Sequence, residues 1–510
     1  MLRRFCALVL SISILLGLTG CNAQTLDAPA ISPGLHAGSC HFDVSPNLPT
    51  HDCLDMVVPE NPEKPSGRQV SFPVVYFHAP SSENQTDRAP ILHLGGGGPG
   101  AAMISGAYVD IEGLLRTYSP MSLDQGIDLI VVDPRGSGAA SPELNCPEIA
   151  EGFATVMSQA DTTTQTRQLN ALSHQCYLRL RQQGVGLEEY RSERVAQDME
   201  ALRKALGIQR WHLYGISYGT RYALTLIREV PDSIISAVLD SPVFAGVNYG
   251  ERAAIDFSAA FQQVFARCEQ HQDCGLQHPQ LAEHFWRLIA KFNAKPMHLE
   301  MQNPHEDNRL PYTLSGDTLL NILFINLYAP GFADALPTLI QDLERNHFKT
   351  LTRLAENWYQ FMTDPDFSDG SYNSHVCADE EPFVNGERLA ATYDGLPATL
   401  AEIMRRTHED TLKFCTDVWP VKPSGDNYVV TPVKTSLPIL ILQGALDPAV
   451  NASYLTAQSR HFEQAFWQIF QNAAHDVISS EPEAGKAAGC FFATGRPCGS
   501  VKTNNNPAME

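Results

Sequence analysis

Trp211-His212-Leu213-Tyr214-Gly215-Ile216-Ser217-Tyr218-Gly219-Thr220-Arg221 carries the chain from a strand-like run into a helix-like one through a single serine. Trp211–Tyr214 reads as a short buried strand. The stretch from about Tyr218 to Glu229 reads as a helix, closed before Pro231. Gly-x-Ser-x-Gly between them predicts a sharp turn that lifts the serine hydroxyl above a sheet, with glycines where side chains would crowd the turn. A merely structural turn is the blander reading, and the strand before it and helix after it weigh against that.

On the amino-terminal side of this turn, Val195, Met199, Leu202 and Leu206 are spaced four, three and four residues apart, one apolar face of a helix that Gly207 stops. On its other side, Ile234–Leu239 reads as the next strand. Earlier in the chain, Val70–His78, Pro90–Leu94 and Ile127–Val132 read as strands, with a helix near Ala101–Thr117. Strand and helix alternate, which predicts a mostly parallel α/β sheet. The alternation fails from about residue 245 to 432, where helical patterning dominates with no strong strand run. It resumes with Leu437–Leu442 and Ala465–Phe470. The economical division is a core in two parts, 39–244 and 433–510, interrupted by a helical cap insertion at 245–432.

The chain has 510 residues, 44% of them hydrophobic, which excludes a disordered tail, a collagen-like rod and a polytopic membrane protein. Its 36 basic and 57 acidic residues leave a net charge of −21, which argues against a nucleic-acid partner because phosphates would be repelled. Arg3 and Arg4 precede an apolar run, Phe5–Leu16, that is too short to span a bilayer comfortably and has the layout of an export signal. Leu18-Thr19-Gly20-Cys21 resembles the lipobox of bacterial lipoproteins. That resemblance implies a signal at 1–20 cut before Cys21, acylation of its thiol, and a tether at 21–38 on the outer-membrane or periplasmic side, with Asn22 leaning toward outer-membrane sorting.

Export makes the remaining ten cysteines readable as staples. Sequence neighbours suggest Cys40–Cys53, Cys146–Cys176, Cys268–Cys274, Cys377–Cys415 and Cys490–Cys498, and none shows the paired C-x-x-C spacing of a zinc site.

A serine hydroxyl needs a base, and the base needs an orienting acid. Asp447 follows the strand Leu437–Leu442 and His475 follows Ala465–Phe470, so both are expected at carboxyl ends of strands, on the same edge as Ser217. Asp476 is the rival acid, but an immediate neighbour would point away from the ring. Ser217, Asp447, His475 is the chain order of an α/β-hydrolase triad. Gly95-Gly96-Gly97-Gly98-Pro99-Gly100 ends a strand on that edge and lacks the Lys-Ser or Lys-Thr of a phosphate loop. Its backbone is expected to supply one oxyanion donor, from Gly98 with Gly97 as the alternative, and Tyr218 the other.

These segments resemble the α/β-hydrolase peptidases of the proline iminopeptidase and tripeptidyl aminopeptidase family. The likeness runs through Gly97-Gly98-Pro99-Gly100, Asp133-Pro134-Arg135-Gly136-Ser137-Gly138 with Ser141, Gly215–Gly219 followed by Thr220-Arg221, Asp447 and His475, over roughly residues 38–500. In the insertion it runs through Cys268…Cys274, Cys377-Ala378-Asp379-Glu380 and Cys415…Trp419-Pro420. Gly96 stands where many relatives carry His, and Asp379-Glu380 reverses the usual Glu-Asp order. The resemblance implies an α/β-hydrolase fold with a helical cap and a serine exopeptidase acting on peptide substrates without metal or organic cofactor. It further implies that Asp379 and Glu380 read the substrate amine. Two rivals remain at this level: a carboxylesterase or lipase, since the chemistry serves esters equally, and a non-catalytic peptide-binding lipoprotein.

Overall fold

The computed structural model describes residues 33–80, 88–107, 109–159, 161–329, 331–425, 430–498 and 502–503. The stretch 1–20 read as an export signal, Cys21 and most of the expected tether lie outside them. Among the described residues, twelve strands follow one another: β1 (Gly34–Ala37), β2 (His51–Pro59), β3 (Gln69–Phe77), β4 (Ile91–Leu94), β5 (Leu129–Val132), β6 (Trp211–Ile216), β7 (Ile234–Asp240), β8 (Met297–Gln302), β9 (Arg309–Leu314), β10 (Thr435–Gly444), β11 (Phe462–Phe470) and β12 (Lys502–Thr503). Ten of them form one sheet in the order β1-β2-β3-β5-β4-β6-β7-β10-β11-β12. The central block from β5 to β11 is parallel, flanked by antiparallel β1–β3 on one side and β12 on the other. Parallel strands covered on both faces need continuous apolar sequence. All six residues of β6 are accordingly buried.

Apolar clusters cover both faces of this sheet, one gathering Met199, Leu202 and Leu226 and the other Ile111, Leu115 and Phe491. A third cluster lies within the cap, where Phe261, Phe285, Leu323 and Leu336 pack together. Phe153 and Met157 from the helix Pro147–Met157, before β6, join that cap cluster. The structure joins the ten cysteines in the same five pairs the sequence suggests.

Three expectations change. Gly34–Ala37, inside the expected tether at 21–38, is instead the edge strand β1, paired antiparallel with β2 through main-chain hydrogen bonding. The helix near 101–117 shortens to Ile111–Tyr118, capped by the Asp110 side chain on the Gly113 N–H. Residues 101–107 stay irregular because Asp133 draws their amides inward: its carboxylate accepts the N–H groups of Met103 (2.5 Å) and Ile104 (3.0 Å) and the Ser105 hydroxyl. The cap is also not wholly helical, since β8 and β9 form an antiparallel hairpin in it. Met301, Tyr312 and Leu314 bury one face of that hairpin. Pro311 and the charged turn between the strands mask the alternation in the sequence. Among the described residues no helix is long and apolar enough to cross a membrane.

Candidate active site

Neighbouring parallel strands end at one edge. Ile216 of β6, Asp240 of β7 and Leu442 of β10 lie in register there, so the segments leaving these strands emerge side by side. Ser217 directly follows β6 with φ 52° and ψ −125°, a backbone of positive φ that a non-glycine residue adopts at a cost of roughly 1–3 kcal/mol. The flanking glycines permit the turn. A Cβ on Gly219 would lie 2.0 Å from the Leu94 carbonyl oxygen, and one on Gly215 would lie 2.8 Å from the Gly219 carbonyl oxygen. Tyr218 opens the helix Tyr218–Glu229, so its N–H is among the first-turn amides without an intrahelical acceptor.

Asp447 follows β10 and His475 follows β11. His475 Nδ1 lies 2.9 and 3.0 Å from the two Asp447 carboxylate oxygens. Asp447 is held in turn by the N–H groups of Ala449 and Val450 and by the Gln443 amide. Asp476 is occupied elsewhere, capping the short helix Val477–Ser480 through the Ser479 N–H. An acid–base pair is therefore assembled on the edge that carries the serine. No hydrogen bond joins Ser217 to His475; the two share the edge rather than a direct contact.

Burial disfavours the His475 imidazolium, but the Asp447 charge and hydrogen bond, with Asp240 and Asp476, outweigh it and hold its pKa above the ordinary value of 6.5. A base must be neutral to accept the serine proton, and a raised pKa keeps it protonated to higher pH. The acid limb of kcat/KM is therefore expected with its midpoint above about 6.5 and a plateau on its alkaline side. A profile that is already flat below pH 6 would contradict the assignment of His475 as base.

Gly98 and Gly97 have φ 79° and 87°, turning the glycine loop across the end of β4 next to Ser217; a Cβ on Gly96 would lie 3.1 Å from that of Ser217. Asp133 braces the far side of this loop through the contacts at 103–105. Arg135, fully buried, anchors the brace with two 2.6 Å bonds to Asp198 and further bonds to the Glu60 and Glu189 carbonyls.

The acidic pair of the cap is brought close to the nucleophile helix, but not as free charges. Asp379 is fully buried and gives one oxygen to the Ser192 N–H (2.9 Å) and the other to the Ser424 hydroxyl. Glu380 pairs with Arg221 at 2.8 Å and accepts the Tyr249 N–H at 3.3 Å. Burial, opposed by Arg221 and aided by Asp379, pushes its pKa up to about 7. The Cys377–Cys415 disulfide ties this segment to the end of the next long cap helix.

Sequence reasoning missed three residues at this site. Asp240 accepts the Val477 and Ile478 N–H groups (both 3.0 Å) and the Tyr214 hydroxyl, fixing the turn just after His475. An acid at the end of an apolar strand was a signal in the sequence that could have found it. Tyr328 packs its ring edgewise on His475 (5.2 Å, 71°), and Tyr372 lies against Gly98. Both come from the cap, and nothing in their local sequence marks them. Among the described residues, the two clusters of metal-type ligands, Cys40/His51/Cys53 and Cys146/Glu148/Cys176, are built on sulfurs joined in disulfides, which are not thiolates.

Comparison with known proteins agrees with this architecture. A family model described as alpha/beta hydrolase fold matches residues 96–482. The serine protease Hip1 of Mycobacterium tuberculosis is 24% identical over 430 residues, covering 78% of this chain and 76% of its own. Tripeptidyl aminopeptidase of Streptomyces coelicolor is 26% identical over 229 residues, 44% of this chain and 40% of its own. Carboxylesterase B of Mycobacterium tuberculosis is 26% identical over 291 residues, 54% of this chain and 53% of its own.

Proposed function

This chain belongs to the α/β-hydrolase family, and we propose that it is a serine exopeptidase removing residues from the amino end of short peptides. The observation that carries the reading is the His475–Asp447 pair, on the sheet edge where Ser217 follows β6. Ser217 Oγ attacks the scissile carbonyl while His475 Nε2 takes its proton, and His475 returns that proton to the leaving amine. Asp447 holds the imidazole tautomer and balances the imidazolium. The N–H groups of Gly98 and Tyr218 hold the oxyanion. Water then cleaves the acyl-enzyme by the same steps.

The peptide preference is supported by relatives named serine protease and tripeptidyl aminopeptidase and by the acidic seam under the cap. A substrate ammonium entering a closed pocket needs a carboxylate partner. Both acids have internal partners, but Glu380, paired with Arg221 and held by the Tyr249 N–H only at 3.3 Å, suits this better than Asp379, which is fully buried between the Ser192 N–H and the Ser424 hydroxyl. An arriving ammonium would favour the ionised form of a carboxyl poised near neutrality. N-acetylated peptides are therefore expected to be cleaved at least about tenfold less efficiently than free ones, since burying one uncompensated polar group costs more than the ~1.4 kcal/mol of a tenfold change. Product masses from paired free and acetylated peptide libraries test this. Equal cleavage of both would point to an endopeptidase, and cleavage of neither beside turnover of esters would make the second reading the better one: an esterase, which the relative named carboxylesterase B favours and which runs the same steps with an alcohol as the leaving group.

Anchoring through a lipidated Cys21 belongs to the same proposal and is supported by the Leu-Thr-Gly-Cys sequence; loss of palmitate incorporation in Cys21→Ser checks it.

A further inference from the structure

We propose that Tyr372 is the wall of the pocket for the acyl part of the substrate, and that this pocket selects acyl groups carrying an aromatic ring. The inference rests on the serine-hydrolase part of the reading above and does not need the substrate to be a peptide.

Tyr372 sits on the short cap helix Asp369–His375. It keeps 43% of its surface exposed, although it lies at the catalytic edge. A Cβ on Gly98 would lie 3.7 and 3.8 Å from ring atoms Cδ2 and Cε2, so the ring stands directly over the glycine loop. Its position is fixed by the backbone beneath it. The Ser368 N–H donates to the Gly100 carbonyl and the Gly370 N–H to the Leu144 carbonyl, both at 2.9 Å. A Cβ on Gly100 would meet the Ser368 carbonyl oxygen at 2.4 Å, so cap and glycine loop touch main chain to main chain. The helix that carries the ring thus cannot swing away without breaking the seam that holds the glycine loop.

The chemistry decides which side of the substrate meets this ring. His475 delivers a proton to the leaving atom, so Tyr328, packed on His475, borders the leaving group. Gly98 holds the carbonyl oxygen, so Tyr372 borders the carbonyl and the acyl group attached to it. A fixed, partly exposed ring favours a substrate ring through offset or edge-to-face contact, in addition to the apolar area both remove from water.

The test compares 4-nitrophenyl 3-phenylpropanoate with 4-nitrophenyl propanoate on the full-length protein. Wild type is expected to favour the phenyl ester in kcat/KM. In Tyr372→Ala that preference should fall by about fivefold or more, whereas Tyr372→Phe should retain it, because ring contact rather than the hydroxyl supplies the selectivity. Phe361→Ala, removing an exposed cap ring elsewhere, should leave the preference unmoved. If Tyr372→Ala slows both esters together with the preference unchanged, the residue is only structural and the proposal is overturned, as it is if wild type shows no preference. Selective ester turnover without cleavage of free peptides would keep the pocket and remove the exopeptidase reading. Failure of wild type to turn over either ester or to react with a fluorophosphonate would remove both.

Discussion

Replacing Ser217 by alanine is expected to lower turnover by about 10⁴- to 10⁶-fold, because members of a nucleophile–base–acid set act as a unit and the remainder is what binding and the oxyanion donors supply alone. The fold should be retained. The change removes one oxygen, and the contacts that shape the turn are made by the Ser217 main chain. Its N–H donates to the Asp240 carbonyl (3.0 Å), and its carbonyl accepts the Thr220 N–H and hydroxyl. Turnover should be measured on purified Ser217→Ala protein beside its thermal unfolding and its labelling by a fluorophosphonate. Near-wild-type hydrolysis by folded, unlabelled protein would end the serine-hydrolase reading.

The second large effect separates two acids that stand within reach of the same histidine. Asp447→Asn should lower kcat by about 10³- to 10⁴-fold, since an amide in place of the carboxylate favours the wrong imidazole tautomer and leaves the imidazolium unbalanced. It should also move the acid limb of kcat/KM downward, because the Asp447 charge and hydrogen bond raise the His475 pKa against the effect of burial. Asp476→Asn should cost little by comparison. Its carboxylate caps the helix Val477–Ser480, a role that asparagine also fills well, and its charge is only a minor contributor to the His475 pKa. Parallel kcat values and pH profiles for the two variants decide the matter: if Asp476→Asn is the crippled one, the acid has been misassigned.

The nucleophile turn, the parallel strands around it and the order Ser217, Asp447, His475 were legible in sequence because each is announced locally. A buried parallel strand must be continuously apolar, and an abrupt strand-to-helix turn must carry small residues where backbones meet, as at Gly219, where a Cβ would collide with the Leu94 carbonyl oxygen. Short-range cysteine pairs were legible for a similar reason, with partners 6 to 38 residues apart. The β8–β9 hairpin escaped because Pro311 and exposed polar residues blur its alternation.

Fold class and the sharp turn at Ser217 are therefore written in local pattern, since backbone sterics and strand burial constrain those residues wherever they occur. Which acid faces the base is a matter of packing, through the direction in which Asp447 and Asp476 leave their turns. Packing also commits Asp379 to Ser192 and Ser424 while Glu380 is held by Arg221, and it brings Tyr328 and Tyr372 over the catalytic edge. Asp379 and Ser192 stand 187 residues apart in the chain. Contacts across such separations are set by how the cap docks onto the sheet, and a sequence window of 11–18 residues, about the span over which periodicity is read, holds no record of them.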